Sequence, residues 1–198
     1  MEPVKTYYSF LQRIEEKYGT KERIICLLLL DPTNEDTVGR YIYRRFDYFH
    51  YRTGEYVDFY CPGFDADDNG RYFSVKDFVE FIRYIEATTK WQYSGGTNLL
   101  LLRYADGKLH FDNVYDLNFT RMLIDGVISD YNCFIEELIY SFRYDVERYI
   151  DNQYIKHQVT NIWSALSEIL PKCISKAVGY IRRSARLNDY FTPKDFTK

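Results

Sequence analysis

The sequence predicts an α/β fold in which a mixed sheet lies between layers of helix. Three observations carry that expectation. Residues 24–30, Ile-Ile-Cys-Leu-Leu-Leu-Leu, form an unbroken apolar run between Arg23 and Asp31-Pro32, as in a strand buried on both faces. Segments on either side repeat apolar residues at helical spacing. Asp106-Gly107 separates two further apolar runs, and Asp-Gly supplies the positive backbone torsions of a tight hairpin turn.

In chain order, residues 4–18 read as a first helix, with Tyr7, Leu11, Ile14 and Tyr18 on one face and Gly19 ending it. After the central strand, Asp31-Pro32-Thr33-Asn34 provides a turn and a helix N-cap. A helix over 35–52 follows, carrying Val38, Tyr41, Ile42, Phe46 and Phe49, with Gly54 beyond it. Residues 55–61 read as a second strand, parallel to the first because a helix crosses between them, and Pro62-Gly63 stops it. An acidic loop is expected at 64–72. Ser74 and Asp77 then give a capping signal for a helix with Val75, Phe78, Val79, Ile82 and Ile85 inward. A loop over 88–97 leads into the hairpin of residues 98–111. From Asn118 the pattern is helical throughout: one run to about residue 150, and another over about 156–186 that Pro171 kinks or divides. Residues 189–198 read as a loose tail. The expected organisation is an α/β core at 1–117, a helical extension at 118–188 packed on it, and the tail.

Without its first and last helices this order is βαβαββα, which resembles the thioredoxin-like fold in topology over about residues 22–140. The departures are specific. Asp31-Pro32-Thr33-Asn34 stands where that family carries C-x-x-C after the first strand, and no proline directly precedes the third strand. Thioredoxin-type thiol chemistry is therefore not implied. A flavodoxin-like or other open α/β sheet is the alternative fold.

Composition narrows the function classes. The chain has 198 residues with 21 Tyr and 14 Phe, enough apolar and aromatic surface for one ordinary core. A formal net charge of −3 offers no global positive field to gather phosphates, which argues against nucleic acid as the partner. No run approaches the roughly 20 apolar residues of a spanning helix, and Met1-Glu2-Pro3-Val4-Lys5 lacks a signal-peptide hydrophobic region. A soluble, cytoplasmic protein is the expectation. Cys26, Cys61, Cys133 and Cys173 form no C-x-x-C pair, so neither a zinc site nor a dithiol centre is indicated. Cys26 and Cys133 read as buried small hydrophobes, and Cys61, at a strand end, as the one thiol with an exposed position. His50, His110 and His157 lie on separate elements.

Two patterns point to possible ligands. In open α/β sheets, ligands collect beyond the carboxyl ends of parallel strands, where Asp31, Asp65, Asp67 and Asp68 would share an edge suited to Mg²⁺ or Ca²⁺. Asp65-Ala66-Asp67-Asp68-Asn69-Gly70 opens like a calcium loop, but Lys76 stands where the bidentate Glu belongs. Asn34, Arg40 and Arg44 would lie toward an anionic ligand of that edge. Arg40, Arg44, Arg45, Arg52 and His50 also alternate with Tyr41, Tyr43, Tyr48 and Tyr51, a pattern that fits single-stranded nucleic acid and equally the wet face of a helix. Lys172, Lys176, Arg182, Arg183 and Arg186 gather near the end of the last helix, where its dipole favours cations. With no catalytic motif in view, the expected function is a non-catalytic interaction module, bound to a protein partner or a second copy through its C-terminal helices. The alternative is a cation-dependent enzyme or nucleotide-binding protein, and neither a resident cofactor nor a membrane is expected.

Overall fold

A computed structural model describes residues 2–32, 37–50, 52, 57–67, 70–145 and 187–198. Its centre is the apolar run. Strand β2 (Arg23–Leu29) lies in the middle of a five-stranded mixed sheet. Side chains alternate across a strand, so the run divides between two cores. Ile24, Cys26 and Leu28 enter one, while Ile25, Leu27 and Leu29 enter the other.

The first strand, β1 (Glu2–Val4), takes Val4, the residue expected to begin the first helix. Pro3 disfavours helical torsions at Glu2, and the sheet offers an edge where its missing N–H is tolerated. β1 pairs in parallel with β3 (Val57–Pro62), Pro3 opposite Cys61. Helix α1 (Tyr7–Tyr18) therefore starts later, at a reciprocal Thr6/Ser9 cap, and ends at Gly19 with φ 56°.

The helix expected at 35–52 is two short ones among the described residues, α2 (Thr37–Arg44) and α3 (Phe46–His50), with a turn at Arg45. Strand β3 pairs parallel to β2, Cys26 opposite Phe59. The expected acidic loop is instead a hairpin, β4 (Phe64–Asp67) and β5 (Gly70–Phe73). Ser74 caps α4 (Val75–Thr88) by accepting from the Asp77 N–H. Strands β6 (Asn98–Ala105) and β7 (Lys108–Asn118) form the expected hairpin at Asp106-Gly107, φ 53° and 75°. β6 runs antiparallel to β2, giving the sheet order β1-β3-β2-β6-β7.

The long helix expected from Asn118 is broken. Helix α5 (Phe119–Ile124) ends before Gly126, whose φ of 67° leaves helical space. Asp130 then caps α6 (Tyr131–Tyr140), which runs into a π-helical turn at Ser141–Asp145. The expected helix over 156–186, with Pro171 and its basic residues, lies outside the described residues, as do Gly54, His157 and Cys173. The tail is docked rather than loose. After α7 (Leu187–Phe191), Lys194 forms a bridge with Val114, and Phe196 exchanges backbone bonds with Phe111 and Lys90 at 2.8 Å. Helices α1 and α4 cover one sheet face, and α2, α3, α5 and α6 the other. No helix among the described residues is long and apolar enough to cross a membrane.

Candidate functional site

Helix α6 presents two different faces. Phe134, Ile135, Leu138 and Ile139, with Phe142 beyond them, are buried against the sheet. Asn132, Cys133, Glu136, Glu137 and Tyr140 line a cleft of about 490 Å³ together with Tyr41, Arg45 and Arg52 from the α2–α3 region. A π-turn is wider than an α-turn and recurs at functional sites. Here it carries Arg143 and Tyr144 onto the same wall, with the Tyr140 and Tyr144 rings 4.6 Å apart. An adjoining recess of about 400 Å³ is lined by Arg40, Tyr41, Arg44, Arg45 and Tyr131.

Glu136 is the hub of the cleft. Its carboxylate accepts from the Tyr48 hydroxyl at 3.0 Å, and from the Tyr41 hydroxyl and Arg45 Nη1 at 3.4 Å each. Arg45 also donates to the Tyr41 hydroxyl at 2.9 Å and lies 4.6 Å from its ring centroid. Burial pushes the Tyr41 phenol up, Arg45 opposes this, and Glu136 adds to it. Arg52 stacks on Tyr48 at 4.9 Å and Arg143 on Tyr144 at 5.1 Å. A guanidinium over a ring is attracted by the ring's electron-rich face. Tyr48, Tyr140 and Tyr144 keep 39%, 46% and 36% of their surface in solvent.

Tyrosine, arginine and glutamate side chains dominate this constellation. What it can do is bind: rigid aromatic surface combined with planar cations is the chemistry of protein contact surfaces.

The sequence-derived candidates are distributed differently from this cleft. Arg40 and Arg44 are exposed and line the recess. Asp31 follows β2 and is partly buried. Asp65 accepts from the Tyr72 hydroxyl at 2.8 Å and pairs with Lys5 at 3.5 Å. Asn34, Asp68 and the Asp67 side chain lie outside the described residues, as do the His50 side chain and Tyr51. Among the described residues no three His, Cys, Asp or Glu groups stand together as a metal-holding set. Cys61, expected to be exposed, is fully buried, because its strand continues to Pro62, pairs there with β1 and turns the thiol into the core with Phe59 and Phe64. Cys133, expected to be buried, is half-exposed on the cleft wall. Cys26 is buried as expected, and burial raises its thiol well above the ordinary range.

Sequence reasoning missed Glu136, Tyr140, Arg143 and Tyr144. Their spacing places polar and aromatic groups opposite the Phe134/Leu138 face, a stripe legible only once that face is known to be spent on the core. Compared with protein-family models, curated proteins and solved structures, the chain matches none of them.

Proposed function

We propose that this protein is a non-catalytic interaction module that docks a protein partner, or a second copy of itself, in the cleft between α2–α3 and the α6/π-turn. The observation that carries the reading is the set of tyrosines around Glu136: Tyr41, Tyr48 and Tyr144 each have an arginine over the ring, and Tyr140 packs on Tyr144. Fixing these long side chains before binding lowers the ordering cost that association must overcome. The apolar face of α6 is buried within the chain, which leaves its polar and aromatic face for a partner. For the core, the thioredoxin-like reading is supported by the order β2, α2, β3, α4, β6, β7, α6 that remains when α3, the β4–β5 hairpin and α5 are taken as insertions. Against the thiol chemistry of that fold stands Asp31-Pro32-Thr33-Asn34 after β2.

The test is site-specific photo-crosslinking in native cells, with the crosslinker at Tyr48 or Tyr140 and, as a remote control, at Tyr8, which is 71% exposed on α1. Adducts to a protein from the two cleft positions, and not from Tyr8, support the module. Equal yields at all three positions, or none at Tyr48 and Tyr140, would sink it.

A further inference from the structure

We infer that the occupant of this cleft is a carboxylate-rich segment of a partner protein, an inference that rests on the interaction-module reading. The first ground is charge. Arg44, Arg45 and Arg52 stand among the described lining residues of the cleft and recess with Glu136 and Glu137, and of these three arginines Arg45 alone pairs with one of the glutamates. The whole chain carries −3. A locally positive patch on a net-acidic molecule attracts an acidic segment at that patch and repels it elsewhere, which favours one docking register.

The second ground is the placement of those charges. Arg45 is partly neutralised by Glu136. Arg44 and Arg52 are exposed, Arg44 in the recess and Arg52 in the main cleft. The Arg52 guanidinium lies over the Tyr48 ring, 4.9 Å from its centroid, and its N–H groups suit a bidentate carboxylate. A peptide suits this mixture of groups. Its acidic side chains reach the Arg44 and Arg52 guanidiniums, its backbone N–H groups meet Glu136 and Glu137, and its apolar atoms lie on Tyr140 and Tyr144. A single-stranded nucleic acid carries a phosphate at every step, and the two glutamates of the cleft wall repel it. The arrangement therefore favours the peptide.

Fluorescence anisotropy of the full chain decides it, with three labelled probes: a peptide of about twelve residues repeating Glu-Glu-Tyr-Gly, the same peptide with Gln for Glu, and an oligo-dT of similar length. The acidic peptide is expected to bind about tenfold or more tighter than its Gln counterpart, and to weaken as ionic strength rises. The double variant Arg44→Glu/Arg52→Glu should lose about tenfold of that affinity, while Arg83→Glu, exposed on α4 across the sheet, should lose none. Both sites are exposed, and a thermal melt of each variant establishes that it is folded. Equal affinity for the two peptides, an unaffected double variant, or tighter binding of oligo-dT overturns the inference. If the acidic peptide fails while cleft-specific crosslinks to a protein persist, the charge assignment falls alone. If both fail, the module reading falls with it.

Discussion

Lys17→Met tests whether the parallel edge of the sheet is held by charge. Lys17 Nζ donates to Glu2 of β1 at 2.7 Å and to Asp58 of β3 at 2.8 Å, so one ammonium ties α1 to two neighbouring strands. The Asp58 side chain is only 16% exposed while that of Lys17 is 42% exposed. Breaking a fully buried pair costs about 3–5 kcal/mol, and an exposed pair contributes about 1 kcal/mol or less. Asp58 is near the first limit and Lys17 nearer the second, so the loss should be about 1.5–3 kcal/mol. For a chain of this size that corresponds to a fall in Tm of about 4–10 °C. Urea denaturation of Lys17→Met, Asp58→Asn and the double variant should show a coupling of about 1 kcal/mol, because the double variant leaves no buried carboxylate without its cation. A loss below about 0.5 kcal/mol in the single variant, or strict additivity, would refute the reasoning. Alkali supplies a second check. Burial pulls the Lys17 ammonium down, but hydrogen bonds and charge from Asp58 and Glu2 outweigh it and raise it above the ordinary 10.5. A group raised in the folded state contributes its full stability below the unfolded value and loses it as pH climbs toward the folded one. The deficit of Lys17→Met should therefore be constant at neutral pH and shrink above 10.5. The whole fold weakens in the same window, because burial pushes the Tyr7 phenol up to about 12 and raises Tyr18 and Tyr60 as well.

Gly63→Ala should destabilise far more than Gly107→Ala. Both glycines have positive φ, but a Cβ at Gly63 would lie 2.6 Å from Phe78 Cβ, whereas nothing lies within 4 Å at Gly107. Losses of about 2–4 kcal/mol against about 1 kcal/mol are expected in chemical denaturation, and equal losses would show that torsion alone matters. Cys26 and Cys61 should resist iodoacetamide until the chain unfolds, since both are fully buried; mass spectrometry showing rapid native labelling of either would contradict the packing. Phe196→Ala should cost about 1–2 kcal/mol, because the ring packs on the core beside β7 while the backbone bonds of the tail remain. Hydrogen exchange at the Val114 and Lys194 amides should accelerate in that variant, and unchanged protection there would mean the tail is held without its anchor.

Local chemistry was enough for the parts of this protein whose cause is local. The unbroken apolar run of β2 could be buried only on both faces, Asp106-Gly107 could turn only as a hairpin, and Ser74 with Asp77 marked the start of α4. The α/β class followed from these. Other parts depended on partners distant in sequence. Three residues at β1 carry too little pattern to read as a strand, and become one because β3 presents an open parallel edge. The 64–72 segment reads as an acidic loop until Phe64 and Phe73 are seen opposite each other, their ring centroids 4.9 Å apart. The cleft was half legible, since Arg40, Arg44, Arg45 and Arg52 alternate visibly with tyrosine along the chain. Its other half was not, because Glu136 lies about ninety residues from Tyr41, Arg45 and Tyr48. Hydrophobic periodicity records which face of a helix leaves water. Which polar groups meet on the opposite face is set by how the helices pack across the sheet, and that geometry exists only in the folded chain.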